Sequence, residues 1–410
     1  MAREFNKLRE IGAITCPFCF KSFPPHDIVF RCVQPRIRCP GWERDEKYAN
    51  TRHIPVTEMG HTFEASTGKG KAALPFHVPQ SAPCDKCFVE SYTRLCPECH
   101  FELSHDIDQV KQRFIAIVGG KVTGKSHYIG SLIFTLNRSR SINFTINMLD
   151  DSTQRRWMDD FYLPVFERRN RLPGNVPALQ DIRVKNPLVV RLTSHDSPLK
   201  RKMQGLWDQA INAYIFDSAG EDLAESITMV SENPAILHAH GLIFMIDPLQ
   251  IESVQQDLDK LGIPAERGDP RSHPENMLSR VIKLFEERGG VRNGTGKISV
   301  PTAFVLSKVD VLESIAYAGA SFLRPGFHTD GLNLAEIQTV SRDVKDYLDN
   351  WLLPSFSKTI EERFSSYSYF GVSALGKQPD IRTHLEVVEP LRVEEPFLWL
   401  LYKLGFIKGR

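Results

Sequence analysis

The stretch Gly119-Gly120-Lys121-Val122-Thr123-Gly124-Lys125-Ser126 decides the fold of this chain. It follows the apolar run 114–118, which is typical of a buried strand, and it opens the segment 125–136, which has helical periodicity. A strand that enters a helix through a glycine-rich turn points successive backbone N–H groups at an anion. The spacing GxxxxGKS therefore predicts a phosphate-binding loop, in which Lys125 reaches the β- and γ-phosphates and Ser126 ligates Mg²⁺.

Three further segments place polar residues directly after a predicted strand. Residues 213–216 lead into Asp217-Ser218-Ala219-Gly220, and residues 302–306 lead into Ser307-Lys308-Val309-Asp310. Ser373-Ala374-Leu375 follows the last predicted strand. Ligands bind at the carboxyl ends of the strands in open α/β sheets. The four motifs together predict one nucleotide site at that edge.

These motifs, in this order, resemble those of the Ras-like P-loop GTPases. In that family the carboxylate at the position of Asp217 holds Mg²⁺, and a carboxylate such as Asp310 accepts hydrogen bonds from guanine N1–H and N2–H. Lys308 would lie along the base, and Ser307, where Asn or Thr is usual, would tie this loop to the phosphate loop. The segment from Ser373 is similar to the loop whose backbone N–H contacts guanine O6.

The motif spacing resembles, more narrowly, the double-GTPase type domains of bacterial conflict and signalling systems, several of which carry N-terminal zinc ribbons. This resemblance covers residues 110–405 approximately. It implies a doubly wound, mostly parallel sheet flanked by helices, with GTP or GDP and Mg²⁺ as ligands. The nucleotide contacts it implies are Gly119, Gly120, Lys121, Val122, Thr123, Gly124, Lys125, Ser126, His127, Asp217, Gly220, Ser307, Lys308, Asp310, Ser373, Ala374 and Leu375.

The candidate catalytic residues are Lys125 and Glu221, and the candidate Mg²⁺ ligands are Ser126 and Asp217. Glu221 stands where a Gln orients the attacking water in the best-known enzymes. A carboxylate there is either a base or a solvated loop acid, and the sequence leaves both open.

The sequence departs from the Ras-like pattern before the second strand, where a Thr usually ligates Mg²⁺. No Thr or Ser occurs between Thr153 and Thr193, so Asp181 and Thr153 are the two substitutes available. An internal arginine finger from Arg155 or Arg156 is the alternative to a solvated helix face, which the sequence favours.

All eight cysteines precede residue 100 and form four pairs, which are Cys16/Cys19, Cys32/Cys39, Cys84/Cys87 and Cys96/Cys99. Four thiolates suit a tetrahedral structural zinc ion, whereas disulfides are disfavoured in the cytosol. The last two pairs resemble a compact zinc ribbon, which leaves the first two pairs for another site. In the alternative, the two Cys-Pro-x-Cys pairs share one metal and the inner pairs share the other. Two zinc ions are expected either way.

The histidines near these cysteines are interpreted as non-ligands. His100 and His105 are expected on the surface, although either could replace a cysteine as ligand, and His53, His61 and His77 are expected in loops. A local basic cluster is interpreted as a solvated face, so nucleic-acid binding is not expected. Its residues are Arg31, Arg36, Arg38 and Arg44, with Trp42 nearby.

Composition sets the class of protein. The chain has 410 residues, with 51 basic and 50 acidic side chains, and it lacks an apolar stretch near the about 20 residues that a bilayer span needs. The N-terminus lacks a secretory signal, so a cytoplasmic location is expected. The predicted domains are a zinc module at 1–105, with a loop or weak hairpin at 51–83, and a GTPase domain at 106–410. No internal repeat is evident.

Two functional hypotheses follow. In the first, the chain is a slow, Mg²⁺-dependent GTPase that acts as a switch and is regulated by a protein partner, such as a second GTPase or an effector. In the second, it is a nucleotide-binding scaffold with little hydrolysis, whose zinc ribbons dock protein. An ATP-dependent P-loop protein is disfavoured by Asp310 and its motif.

Overall fold

The chain divides into two compact units, Met1–Lys111 and Gln112–Arg410. Among the described residues, no helix is both long and apolar enough to cross a bilayer. The computed structural model describes residues 13–52, 54–65, 79–139, 142–172, 187–206, 208–217, 234–263, 272–287, 296–317, 319–329, 331–377 and 384–410.

In its described residues, the first unit contains strands of two or three residues, a 3₁₀ helix at Pro25–Asp27 and one α-helix, α1 (Glu46–Arg52). β3 is the centre of an antiparallel sheet in the order β6-β3-β9, while β1 pairs with β2, β4 with β5, and β7 with β8. The strands are β1 (Ile14–Thr15), β2 (Ser22–Phe23), β3 (Val29–Arg31), β4 (Trp42–Arg44), β5 (Glu58–Gly60), β6 (Thr62–Glu64), β7 (Ala82–Pro83), β8 (Glu90–Ser91) and β9 (Arg94–Leu95).

Cysteines make up a large share of the core of this unit, together with Phe23, Phe30, Phe63 and Phe101. The predicted weak hairpin within 51–83 is wrong for the described part of that segment. β5 and β6 are separated only by His61, and they pair with different strands, β4 and β3. The segment therefore joins two small sheets.

The second unit contains a seven-stranded sheet in the order β11-β12-β13-β10-β14-β15-β16. The pairs β10-β14, β14-β15 and β15-β16 are parallel, whereas β11-β12 and β12-β13 are antiparallel. The edge strand β11 was not predicted. The strands are β10 (Lys111–Gly119), β11 (Phe144–Met148), β12 (Leu188–Ser194), β13 (Ala210–Asp217), β14 (Gly241–Ile246), β15 (Thr302–Leu306) and β16 (Tyr367–Gly371).

Helices connect these strands. The recurrence of apolar side chains at helical spacing predicts amphipathic helices at 275–288 and 334–352, and the structure has them at Pro274–Glu287 and Leu334–Leu352. One segment, Trp157–Glu167, is a π-helix with Pro164 inside it. The α-helices are α2 (Lys125–Arg138), α3 (Asp151–Arg156), α4 (Pro198–Met203), α5 (Pro234–Leu237), α6 (Glu252–Lys260), α7 (Pro274–Glu287), α8 (Leu334–Leu352), α9 (Pro354–Arg363) and α10 (Glu395–Lys403).

Helices cover both faces of the sheet, as a doubly wound fold requires. Along β10 the side chains alternate, so Ile115 and Ile117 enter one apolar core while Ala116 and Val118 enter the other. The first core includes residues of α2 and α10, and the second includes residues of α6, α7, α8 and α9. Both faces of the sheet are buried. The carboxyl edge of the parallel strands is therefore the place where the polar side chains that follow these strands can meet a ligand.

Candidate nucleotide site and cysteine clusters

The glycine-rich loop joins β10 to α2 as the sequence predicts, and Lys125 is the first residue of the helix. The buried Lys125 Nζ donates hydrogen bonds to the carbonyls of Gly119 at 2.9 Å and Gly120 at 2.8 Å. Thr123 Oγ1 donates to Gly120 at 3.0 Å. Gly124 has φ +89°, a left-handed conformation that glycine adopts without steric conflict. The loop is thus wrapped around its own lysine ammonium group.

The two predicted Mg²⁺ ligands lie next to each other. Asp217 is the last residue of β13, which neighbours β10 in the sheet. Ser126 Oγ donates to Asp217 Oδ2 at 2.9 Å. A hydroxyl and a carboxylate oxygen at this separation can both be ligands of one hard cation, which prefers oxygen donors.

Two residues that the sequence analysis did not identify hold the phosphate loop. The Lys121 N–H donates to Ser272 Oγ at 3.1 Å, and Gln250 Nε2 donates to the Lys121 carbonyl at 2.9 Å. A Cβ on Gly120 would lie 2.5 Å from the Cβ of Ser272, so glycine is required for this close approach. Neither contact is visible in a motif, because both residues come from segments far along the chain.

The segment after β15 is anchored to β14. Ser307 donates from both its N–H and its hydroxyl to the Ile246 carbonyl, at 2.8 and 3.1 Å, so the predicted tie runs to the neighbouring strand instead of the phosphate loop. Lys308 has φ +51°, and its Nζ lies 2.6 Å from Asp247 Oδ2. Asp247 also accepts from the Leu249 N–H at 3.0 Å. The Asp247–Lys308 ion pair therefore fixes the lysine side chain.

Asp247 is a further candidate site residue, which the sequence analysis missed. It directly follows the buried strand β14, and Asp217 likewise ends a buried strand of the same sheet. The signal that could have identified Asp247 is its position directly after a buried strand, and not a named motif.

Asp310 lies beside the last predicted motif. Ser373 Oγ donates to Asp310 Oδ1 at 2.5 Å and accepts from the Gly376 N–H at 2.8 Å. Burial raises the pKa of the Asp310 carboxyl above its ordinary value, although the hydrogen bond from Ser373 acts in the opposite direction. The Ala374 carbonyl accepts from Ser131 Oγ of α2 at 2.6 Å. The helix after the phosphate loop is thereby tied to the loop beside Asp310.

His127 lies in the first turn of α2, and its Nε2 accepts from the Leu172 N–H at 3.0 Å. Burial, together with the positive charges of Arg171 and Lys308, lowers the pKa of His127 to about 4. The imidazole is therefore neutral near pH 7. Val122 and Leu375, the remaining predicted contacts, are an exposed loop residue with φ +65° and a partly buried residue packed on the core.

Several predicted residues lie outside the described part of the chain, namely Gly220, Glu221, Asp181, His53 and His77. Thr153 is described, and it does not reach toward the phosphate loop. Its buried hydroxyl donates to Asp150 Oδ2 at 3.1 Å and accepts from the Val189 N–H at 3.2 Å, which fastens α3 to β12. Arg155 is exposed on α3, as a solvated helix face requires.

The eight cysteines form two clusters, and the outer pairs share one of them. The interpretation that grouped the first two pairs is wrong, and the alternative with nested pairs is confirmed. The outer cluster contains Cys16, Cys19, Cys96 and Cys99, and the inner cluster contains Cys32, Cys39, Cys84 and Cys87.

The geometry of both clusters fits a tetrahedral metal. The closest sulfur pairs are 3.7 and 3.8 Å apart in the outer cluster and 3.7 and 3.9 Å apart in the inner one. With Zn–S bonds of about 2.3 Å, the edge of a tetrahedron is about 3.8 Å. A disulfide needs about 2.05 Å, so these are free thiols, and each cluster can hold one zinc ion.

Three of the four pairs form the same turn, which we call a knuckle. In each knuckle the residue after the second cysteine is left-handed, with φ 57° at Phe20, 60° at Phe88 and 55° at His100. Its N–H donates to the carbonyl of the first cysteine at 3.0, 2.9 and 2.9 Å, respectively. The same turn therefore recurs at each of the three pairs that have CxxC spacing. The pair Cys32/Cys39 has a longer loop and a different turn.

Some histidines and arginines of this unit are placed differently from the prediction, whereas His105, Arg36, Arg38 and Arg44 are exposed as expected. His61 is only 5% exposed, and its Nε2 lies 2.5 Å from Asp85 Oδ1 and 3.9 Å from Cys84 Sγ, so it is part of the inner cluster's surroundings. His100 Nδ1 and an Arg31 guanidinium nitrogen lie 2.9 and 2.6 Å from Asp45. Arg31 is thus in a buried network, not on a solvated face.

No family model matches the chain. A protein of Mycolicibacterium smegmatis (strain ATCC 700084 / mc(2)155), named as a proposed ESX-1 scaffolding and assembly protein, SaeC, is 23% identical over an alignment of 415 positions, which covers 96% of this chain and 99% of that protein.

Among solved structures, the chain aligns with Sup35 complexed with GDP, at 12% identity and a TM-score of 0.25. It also aligns with the S. cerevisiae Ski7 GTPase-like domain bound to GTP, at 14% identity and a TM-score of 0.32. These alignments cover 66% and 73% of this chain but only 39% and 51% of the other two chains. TM-scores this low carry no argument about shared function.

Proposed function

We propose that the chain is a guanine-nucleotide-binding protein and a slow, Mg²⁺-dependent GTPase, which acts as a partner-regulated switch in a bacterial conflict or signalling system. The observation that carries the proposal is the convergence of the motifs in space. Asp217, Asp310 and Ser373 follow strands of the same sheet that carries the glycine-rich loop after β10. When the edge strand β11 is left out, the remaining strand order, β12-β13-β10-β14-β15-β16, supports a Ras-like domain.

The residues of the phosphate loop have the chemistry for a triphosphate. The ammonium group of Lys125 donates hydrogen bonds to two loop carbonyls. A bound phosphate would compete with these carbonyls for the same ammonium group. Ser126 and Asp217, already within hydrogen-bonding distance of each other, would hold Mg²⁺, which neutralises charge on the β- and γ-phosphates when bound. Glu221 stays a candidate base for the attacking water. The backbone N–H groups of the loop stabilise the transferred phosphoryl charge.

The base would be recognised at the other end of the site. Asp310 is held in place by Ser373, and its carboxylate is an acceptor for the two adjacent N–H groups of guanine. Adenine offers no such donor pair on that edge. The Lys308 side chain, fixed by Asp247, would lie along the ring of the base.

The substitution Asp310→Asn tests the guanine assignment. It replaces one acceptor oxygen by a donor, so we expect GDP to bind about 100-fold more weakly, which corresponds to about 3 kcal/mol for two hydrogen bonds to a charged group. XDP, which carries a carbonyl where guanine carries the amino group, should bind the variant better than GDP does. Calorimetry with both nucleotides measures this. Asp257→Asn, on the exposed face of α6, is the matched control and should bind GDP normally. Unchanged GDP affinity in Asp310→Asn would refute the proposal.

A second candidate function is a nucleotide-binding scaffold with little hydrolysis, whose two zinc modules dock protein. The name of the M. smegmatis relative, which is aligned over almost its whole length, favours this candidate. Single-turnover hydrolysis of GTP, measured with and without extract from cells that make the protein, separates the two. Phosphate release in either reaction supports the switch, and its absence in both supports the scaffold.

A further inference from the structure

The loops that carry the inner cysteine cluster expose apolar side chains. We call these side chains the knuckle face and define it by Val33, Ile37, Phe88, Val89 and Tyr92. These side chains are 59%, 93%, 80%, 43% and 59% exposed, respectively. Val33 and Phe88 each directly follow one of two cysteines whose sulfurs are 3.7 Å apart, so the two loops meet at this point. A Cβ on Gly41 would lie 2.9 Å from Lys86 Cγ, which again places the two loops against each other.

The turn itself does not require an exposed apolar residue, because the three knuckles differ at this position. The equivalent residue is Phe20 in the first knuckle, where it is 7% exposed, and His100 in the third, where it is hydrogen-bonded to Asp45. Only Phe88 points its ring into solvent. An L-residue in the left-handed region is disfavoured relative to glycine, so neither local conformation nor packing explains a phenylalanine there.

The charges around the knuckle face indicate what covers it. Ile37 is flanked by Arg36 and Arg38, both exposed, and residues 33–42 contain no acidic side chain. Arg36 lies 2.5 Å from Glu58, whereas no ion pair within the described residues involves Arg38. Carboxylates on a partner would complement these guanidinium groups, and aromatic and arginine side chains are the types that dominate binding energy at protein interfaces.

We propose that the knuckle face docks a protein segment that has an apolar anchor side chain flanked by carboxylates. A nucleic acid or an anionic membrane fits less well, because each is bound by a broad basic patch, whereas Arg36 and Arg38 lie within three residues of a single loop. The proposal does not depend on nucleotide binding, since the knuckle face belongs entirely to the first unit. A negative result therefore leaves the Asp310→Asn experiment unaffected.

The test uses the full chain in cells that normally make it, with the photoreactive residue benzoyl-phenylalanine in place of Tyr92. We expect crosslinking to a segment of another protein, in which mass spectrometry finds Asp or Glu on both sides of an apolar residue. Phe88→Gly and Arg38→Glu should each lower the crosslinking yield at least fivefold, whereas Arg38→Lys should retain most of it. The same photoreactive residue at Phe327, an exposed aromatic position of the second unit, is the control for random contacts.

Stability measurements exclude trivial loss of structure. Phe88→Gly should keep the Tm and the metal content of the chain, because glycine suits φ +60° and no packing is lost. Phe20→Gly, at the equivalent but buried position, should lower the Tm. Crosslinking to lipid, to nucleic acid, to a second copy of this chain or to a segment without acidic residues would overturn the proposal. So would an absence of crosslinks, or yields unaffected by Phe88→Gly and Arg38→Glu.

Discussion

The two units of this chain achieve order by different means. Strands of the first unit have two or three residues, and sulfur atoms occupy much of its core. In the second unit β10 alone has nine residues, and two apolar cores lie on either side of the sheet. Isolated hairpins of a few residues are not stable in water, whereas a broad sheet with two buried faces is. We therefore expect the first unit to depend on metal bound at its two cysteine clusters, and the second unit to fold without it.

Removal of metal should give the largest difference between the units. A structural zinc site contributes about 10 kcal/mol or more to folding, so a strong chelator should unfold the first unit. Limited proteolysis followed by mass spectrometry should then cut within residues 13–105 and leave the second unit intact. If chelation left the first unit resistant to protease, the contrast between the two units would be refuted.

Paired cysteine substitutions should reveal which cysteines share a metal. Cys16→Ala with Cys99→Ala removes two ligands from one cluster, so the protein should keep one zinc ion. Cys16→Ala with Cys32→Ala removes one ligand from each cluster, so both ions should be lost or bound weakly. Metal analysis of the purified variants measures this. The opposite result would support the pairing in which Cys16 and Cys32 share a site.

A cavity made in the core of the second unit should destabilise that unit and leave the first unit unchanged, whereas metal removal should do the opposite. Phe304 lies fully buried in β15, so Phe304→Ala should lower the free energy of unfolding of that unit by about 3 to 5 kcal/mol. The zinc content should remain unchanged. Chemical denaturation, followed together with metal analysis, tests both statements. The control Phe327→Ala removes an exposed ring and should change stability by less than about 0.5 kcal/mol.

The smallest expected effect is the pH dependence of nucleotide affinity. Burial raises the pKa of Asp310, and only the ionised carboxylate accepts both guanine N–H groups. Affinity for GDP should therefore be fully present above the raised pKa and should fall as the pH decreases through it, at a higher pH than for an ordinary aspartate. Titration of GDP at a series of pH values checks this. Asp310→Asn removes the titrating group and should flatten that part of the profile.

The sequence predicted the parts of the fold that depend on local periodicity. Strand β15 and helix α8 have the predicted ends, because a short apolar run and a long amphipathic repeat are each unambiguous. Strand β11 escaped prediction, because Phe144–Met148 alternates over only five residues at the edge of the sheet. The glycine-rich loop, Asp217 and Asp310 were predicted as site residues because each lies at or just after the end of a buried strand.

The remaining parts of the site depend on contacts between distant segments. Gln250 and Ser272 touch the phosphate loop only because the chain returns to it, and spacing along the sequence carries no record of that. Cysteine pairing is the same kind of problem, since four pairs are compatible with more than one grouping. His61 lay outside any ligand-like spacing, yet β5 and β6 bring it beside Cys84.

The nesting of the cysteine pairs has a consequence for the order of assembly. Before any metal binds, Cys19 and Cys96 are joined by a long tether that contains the whole inner cluster. Once one ion holds Cys39 next to Cys84, the chain path between Cys19 and Cys96 becomes much shorter. The entropic cost of closing the outer loop then falls by about 1 kcal/mol. The first ion thus raises the affinity for the second about fivefold, and by thermodynamic reciprocity the benefit is mutual. The two ions should therefore bind with positive cooperativity, and half-loaded molecules should be fewer at intermediate metal concentrations than for two independent sites.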